Sequence, residues 1–269
     1  MAFVADFSHR VLMFVIAIAI FTPIELTISH NKDSLRGRIL GVVYWVIWTL
    51  CAIAAAELFK HLNPRSLVAL HVPTGLAGPW DIVVAPILAA IVSDFYFYFH
   101  HRIQHAVPLL WRFHAVHHSI RELNAVNAYH HPLDEFISGF IGLIPLLFFS
   151  VDPVRAIPTM MLLLSLQPYF LHSPIRADIG WFRHLFGDNR FHRIHHSADP
   201  MHYNKNFGAF TTLWDRMFGT ACWPSKDEWP EVGLKEMDEP KSVKEWITLP
   251  WRYPRAQGAA SSNTPEAAS

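Results

Sequence analysis

A chain of 269 residues suffices for one domain with a sizeable core, or for a few membrane spans under a cap. Hydrophobic residues make up 52% and charged residues 16%, against about 25% charged in an ordinary soluble domain, so the second arrangement fits better. The zero formal net charge leaves no global basic surface for nucleic acid, and two distant cysteines, Cys51 and Cys222, exclude a disulfide scaffold and a four-cysteine zinc site.

Three apolar runs come first. Val11–Ile28 carries only Glu25, Ile39–Phe59 only Glu57 and Ile82–Phe99 only Asp94. A helix crossing the hydrocarbon needs about 20 mostly apolar residues, so each predicts a transmembrane helix. The first run also matches the apolar part of a signal peptide, but Pro23, Glu25 and the missing small-residue cleavage site argue for a span. Phe136–Val151 and Ala156–Leu171 are uncharged and short for full spans. Separated by Asp152-Pro153-Val154-Arg155, they predict a helical hairpin that returns the chain to the side it left. Lys32, Arg36 and Arg38 place the loop after the first span in the cytoplasm, with the N-terminus outside and Lys60–Pro79 on the far side. The region after the third span, with Arg102, Arg112 and Arg121, is then cytoplasmic. From about Arg176 the chain is mixed polar and aromatic and predicts a cap, and the Ala-, Ser-, Gly- and Pro-rich tail after Arg255 predicts disorder. The expected fold is all-α: an integral-membrane helical bundle of about three N-terminal spans plus a hairpin, under a cytoplasmic, helical, histidine-rich cap.

Of 18 histidines, 14 fall between His100 and His202. Neutral imidazole is the commonest side-chain metal ligand. His101 and His105 are four apart; His114, His117 and His118 stand at i, i+3 and i+4, and His192, His195 and His196 repeat that spacing. Residues three or four apart share a helix face, about 5–6 Å between β-carbons, so each box aims its imidazoles one way. His131, before Pro132, and His172 flank the hairpin. Ten imidazoles are too many for one ion, so two metals are the economical reading. Asp94 lies on roughly the same face as His101 and His105, where a carboxylate could accept the second ring N–H of a ligand. His9, His30, His61 and His71 stand apart; His100, His184 and His202 read as packing or supporting residues. Glu25 and Glu57 read as helix-packing or interfacial, and the run Phe95–Phe99 as core and lipid contact.

From Asp94 to Thr220 the chain resembles the fatty acid hydroxylase/sterol desaturase superfamily, nearest its bacterial sterol-desaturase-like and alkylglycerol monooxygenase branches. The resemblance is carried by Asp94-x3-Tyr98-x2-His101-Arg-x2-His105, Leu110-Trp-x2-His114-x2-His117-His118-Ser119, Asn124 and His131-Pro132-Leu133. It continues through Leu171-His172-Ser173, Asn189-Arg-x-His192-x2-His195-His196-Ser197, Asn206-Phe-Gly and Trp214-Asp-Arg-Met-Phe-Gly-Thr220. It implies two iron ions held by His101, His105, His114, His117, His118, His131, His172, His192, His195 and His196. The position before the family's His-Pro is often arginine and is here His130, so His130 is the alternative to His131. The resemblance divides the chain into a transmembrane region 1–79, a catalytic domain 80–222 and a C-terminal tail 223–269.

It further implies O2 activation and hydroxylation or desaturation of a sterol, fatty acyl or ether lipid delivered from the bilayer of a bacterial cell membrane. No Gly-rich dinucleotide fingerprint or haem segment is present, so a cytochrome b5-like, ferredoxin or flavoprotein reductase partner would supply electrons. Arg183, Arg190 and Arg193 are available to an acidic donor or to solvent. Two rivals are a membrane zinc hydrolase, which would use fewer ligands and a carboxylate base and for which no His-Glu-x-x-His exists, and a metal transporter or sensor, which would line a path with histidines rather than cluster them.

Overall fold

Two long apolar helices open the chain: α1 spans Ala2–Ile28 and α2 spans Leu35–Leu62. The computed structural model describes residues 2–29, 34–62, 68–70, 80, 84–151 and 157–252. Within α1 and α2, Phe7–Ile28 and Leu35–Leu58 are long and apolar enough to cross a bilayer. The helices pack on each other, with Phe14 stacked on Trp45 at 3.8 Å. Glu25, buried in α1, pairs with Arg38 at 2.9 Å and accepts the Ala125 N–H at 3.0 Å. It is the packing residue the sequence suggested.

The third predicted span becomes α3, Ala85–Ala106. Among the described residues only α1 and α2 pass the length and apolarity test. The apolar part of α3 runs straight into His100, His101, Arg102 and His105, which lowers its mean hydropathy. The loop bearing Lys32, most of Lys60–Pro79 and the 152–155 linker lie outside the described residues, as does the tail after Arg255.

A short helix, α4 (Pro108–His118), follows α3 after one residue, with proline in its first turn, where the missing N–H costs nothing. Next come α5 (Pro132–Phe148) and α6 (Ile157–His172). These arms of the expected hairpin take different partners: α5 packs on α2 and α4, and α6 on α1, α3 and α7. The cap adds α7 (Asn189–His195), α8 (Leu213–Met217) and α9 (Val243–Arg252). The rest of the described chain is helix and loop, apart from a parallel pair of three-residue strands, β1 (Val68–Leu70) and β2 (Phe149–Val151).

The core positions α4. Val116, Ile120, Leu123 and Tyr129 pack with Tyr44 of α2 and Trp246 of α9, and Ala115 packs with Leu234 and Met237. One side of α4 is thus clamped by apolar contacts, which leaves its histidines facing α3 and α7. The predicted tail therefore divides: 223–252 belongs to the fold, with Trp246 fully buried.

Candidate metal centre

Nine of the ten expected histidines meet in two adjoining groups. One nitrogen each from His101, His105, His114, His118 and His195 lies within 4.8 Å of the others, and the same holds for His117, His172, His192 and His196. The helix period shares out the repeated triples. From α4, His114 and His118 go to the first group and His117 to the second; His195 joins the first, while His192 and His196 join the second. The groups touch where the rings of His118 and His196 stack at 4.4 Å. Inside them, Nε2 of His101 stands 3.0 Å from Nε2 of His114, and Nε2 of His172 stands 3.2 Å from His117 and 3.1 Å from His192.

The outward ring nitrogens are anchored on oxygen. Nδ1 of His101 donates to the Phe207 carbonyl at 2.8 Å, His117 to Tyr129 at 3.1 Å, His172 to Pro168 at 2.6 Å and His195 to Lys205 at 2.8 Å. His114 donates to the Asp134 carboxylate at 3.2 Å. A ring that donates through Nδ1 presents Nε2 as a lone pair, so five tautomers are set with their acceptors inward. Burial pushes His117, His118, His192 and His196 well below the ordinary histidine range, aided by neighbouring imidazoles. It takes His195 down to about 3 against the opposing hydrogen bond to Lys205. Neutral imidazole is the ligating form. Nε2 of His105, His118 and His195 is buried with no hydrogen-bond partner. Converging lone pairs suit a cation, and an imidazole set without thiolate suits iron, zinc, copper or nickel. The residues present fit two metal ions.

One loop supplies the Lys205 and Phe207 carbonyls, and two buried carboxylates clamp it. Asp215 accepts the N–H groups of Phe207 and Gly208, both at 2.8 Å. Asp94 accepts those of Ala209, Phe210 and Thr211 at 2.9, 2.7 and 3.0 Å. A β-carbon on Gly208 would meet the Thr211 carbonyl at 2.5 Å and the Asp215 carboxylate at 2.9 Å. Asn206 (φ +57°), in the left-handed region like Asn204 (φ +58°), ties the loop to the Phe191 and Cys222 carbonyls at 2.8 Å each. The Asn-Phe-Gly and Trp-Asp-Arg-Met-Phe-Gly-Thr stretches are thus the frame behind His101 and His195.

Three expectations change. Asp94 holds backbone amides and makes no hydrogen bond to a histidine among the described residues; three N–H groups already converge on its carboxylate. Asp134, which sequence reasoning passed over, takes the orienting role: Oδ2 accepts from His114 and from His130 (3.0 Å), and Oδ1 from Gln104 (2.7 Å). Burial pushes the Asp134 carboxyl up, but the hydrogen bonds from His114 and His130 outweigh it and hold it below the usual carboxylate range. His131 stands outside both groups because both nitrogens are engaged, Nε2 with the Ile247 carbonyl and Nδ1 with the Leu133 N–H, each at 3.1 Å. His130 instead stacks on His117 at 3.9 Å. The cap arginines also turn inward: Arg183 pairs with Asp188, Arg190 donates to the Ser225 and Lys226 carbonyls, and Arg193 donates to Pro230 and covers Trp229.

Both groups border one cavity of about 670 Å³. His101, His114, His117, His172 and His192 form part of its wall, and Met13, Trp45, Ala90, Phe97 and Leu171 are among its apolar lining residues.

The helical fold brings together two histidine groups that could hold metal ions, and comparison with known proteins gives its family. The fatty acid hydroxylase family matches residues 86–220, half of the chain, and the chain belongs to it, within the fatty acid hydroxylase/sterol desaturase superfamily. It is 31% identical to alkylglycerol monooxygenase of Danio rerio over 150 residues, 56% of this chain and 33% of that protein. It is 28% identical to ornithine lipid hydroxylase OlsE of Rhizobium tropici, over 58% of this chain and 47% of that one. A cholesterol 25-hydroxylase-like protein of Danio rerio matches at 25%, over 67% and 74%. The chain thus spans about a third of the alkylglycerol monooxygenase it matches. No solved structure matches it.

Proposed function

We propose that the chain is a membrane di-iron oxygenase that hydroxylates a lipid. The observation that carries the reading is the pair of buried histidine groups, five nitrogens and four, on the wall of a largely apolar cavity beside the two span-length helices. Two irons, one held by each histidine group, would supply O2 activation; the net reaction puts one oxygen atom into an unactivated C–H bond while two electrons and two protons from outside reduce the other to water. The protein's own contribution is positional. The Phe207, Tyr129, Pro168 and Lys205 carbonyls and the Asp134 carboxylate fix the imidazoles before any ion arrives, and a buried site keeps bulk water from the reacting C–H bond. The cavity has room for part of a lipid, not a whole one, so the remainder stays in the bilayer. A separate cytochrome b5-like, ferredoxin or flavoprotein donor supplies the electrons, and the chain crosses the membrane more than once with its histidine cap in the cytoplasm.

The names of the matched relatives, lipid hydroxylases and monooxygenases, support this chemistry over desaturation. The test is elemental analysis and lipid turnover on the same sample. Active protein should hold two irons per chain and form product only with O2 and reductant, and His118→Ala should lose turnover. One ion or fewer per chain in active protein, or near-normal turnover by His118→Ala, would overturn the proposal.

A further inference from the structure

The cap carries large apolar side chains that stand outside its core. In the single 3-10 turn Gly180–His184, Trp181 is 63% exposed and stacks on the exposed Phe182 at 4.5 Å. Leu185 follows, also exposed, as are Leu213, Met217 (63%) and Phe218 in and after α8. Hydrogen bonds join the two pieces. The Thr212 N–H donates to the Leu185 carbonyl at 3.2 Å, and the Thr212 hydroxyl and Arg216 donate to the His184 carbonyl at 2.9 and 3.2 Å. A water-facing surface rarely gathers this much apolar area in one place, and such a patch marks an interaction site.

Where α8 sits along α3 identifies the partner. Trp214 donates its indole N–H to the Ile91 carbonyl at 3.2 Å and its ring meets Phe95 at 4.7 Å, while Phe218 packs on Phe99 at 5.0 Å. Ile91 precedes His101 by ten residues, about 15 Å of helix. So α8 lies beside the apolar half of α3, where Leu88, Val92 and Phe95 are exposed on one face. The apolar surface of α3 therefore runs on, contact by contact, through α8 to Phe182 and Trp181. Tryptophan favours the membrane–water boundary, and an exposed arginine such as Arg216 keeps its charge in the headgroups while its stem lies along apolar surface. We infer that this edge of the cap is a lipid-contact surface, with Trp181, Phe182, Leu185, Met217 and Phe218 entering the headgroup/acyl boundary of the bilayer. The cap is then seated in the membrane face rather than standing clear of it. Lipid is favoured over a second protein because the patch continues a helix face whose own apolar residues are bare over the same depth. The inference rests on the membrane reading and is independent of the iron chemistry.

The test is a nitroxide depth measurement on the full chain in nanodiscs, in a Cys51→Ser, Cys222→Ser background. Single labels are placed through Trp181→Cys, Met217→Cys, Val15→Cys in α1 and Lys235→Cys in the cap, all exposed positions, in variants that keep the parent's metal content. Dissolved O2 partitions into lipid and a nickel chelate stays in water, so the two relaxants report what surrounds each label. The labels at Trp181 and Met217 should respond to O2 and be shielded from the chelate, at a depth of about 5–10 Å into the headgroup/acyl boundary. Val15 should read deeper, and Lys235 fully open to the chelate. Chelate access at Trp181 and Met217 equal to that at Lys235 would overturn the inference. Shielding from both relaxants would overturn it too, because a protein surface or a second copy of this chain would then cover the patch. Chelate access at Val15 as well would refute the membrane reading itself, so the two failures are told apart.

Discussion

Asp134 accepts from His114 and His130 through one oxygen and from Gln104 through the other. Asp134→Asn keeps the shape but puts an amide donor or a weaker acceptor against His114, so metal affinity of the first group should fall about 10- to 100-fold, read by chelator competition. Asp94→Ala acts differently. It strips three backbone amides of their acceptor and loosens the loop that holds His101 and His195, so thermal stability should fall along with metal content. Gly208→Ala should do the same from the other side of that loop, because a β-carbon has no space between Thr211 and Asp215. Wild-type metal retention by Gly208→Ala would refute the clamp. The sequence showed eight of the nine clustered histidines through their spacing and His172 through its place beside the expected hairpin, but not Asp134, whose one local signal is its position four residues after His130 in the first turn of α5. Asp94 was legible as a buried carboxylate and illegible as a backbone clamp, since its partners lie 115 to 117 residues away. His131 misled because the helix start at Pro132 draws its ring to the Leu133 N–H.

The helix α7 carries three histidines in seven residues plus its cap, too short to hold itself together. Asp188 caps it, accepting the Phe191 N–H at 2.7 Å, and is pinned by Arg183 at 3.2 Å. Asp188→Ala should cost about 1 kcal/mol in stability and speed metal loss, since His192, His195 and His196 all ride on that turn. Unchanged metal release would show the helix to be held by other means. Across both groups all nine histidines have folded values below the ordinary 6.5. Protons then bind the unfolded chain more readily than the folded one, so this stability is complete above about pH 6.5 and is lost as pH falls toward the folded values. Metal-stripped protein should therefore melt lower as pH is taken from about 7.5 to about 5.5. A melting temperature flat over that interval would contradict the buried, neutral state of the rings.

At the scale of the whole molecule, the apolar runs announced α1 and α2, and the histidine spacing announced α4 and, in the cap, α7. What stayed hidden was how the elements partner. The two uncharged arms read as a hairpin, yet α5 serves α2 and α4 while α6 serves α1, α3 and α7, because apolar surface gives no address. The 223–252 segment read as tail because its polar composition conceals Trp246, whose burial against Tyr44 and Tyr129 locks α9 over α4. The proposed cytoplasmic cap is checked by a reporter fused after Arg252, which should register inside; an outside signal would reverse the orientation. The central claim is that O2 chemistry at the paired histidine groups puts oxygen into lipid, and isotope labelling tests it most directly. Iron-replete protein turning over lipid under 18O2 with reductant should yield product carrying one 18O atom at the new hydroxyl. Label arriving only from H2 18O, or product forming without O2, would contradict it.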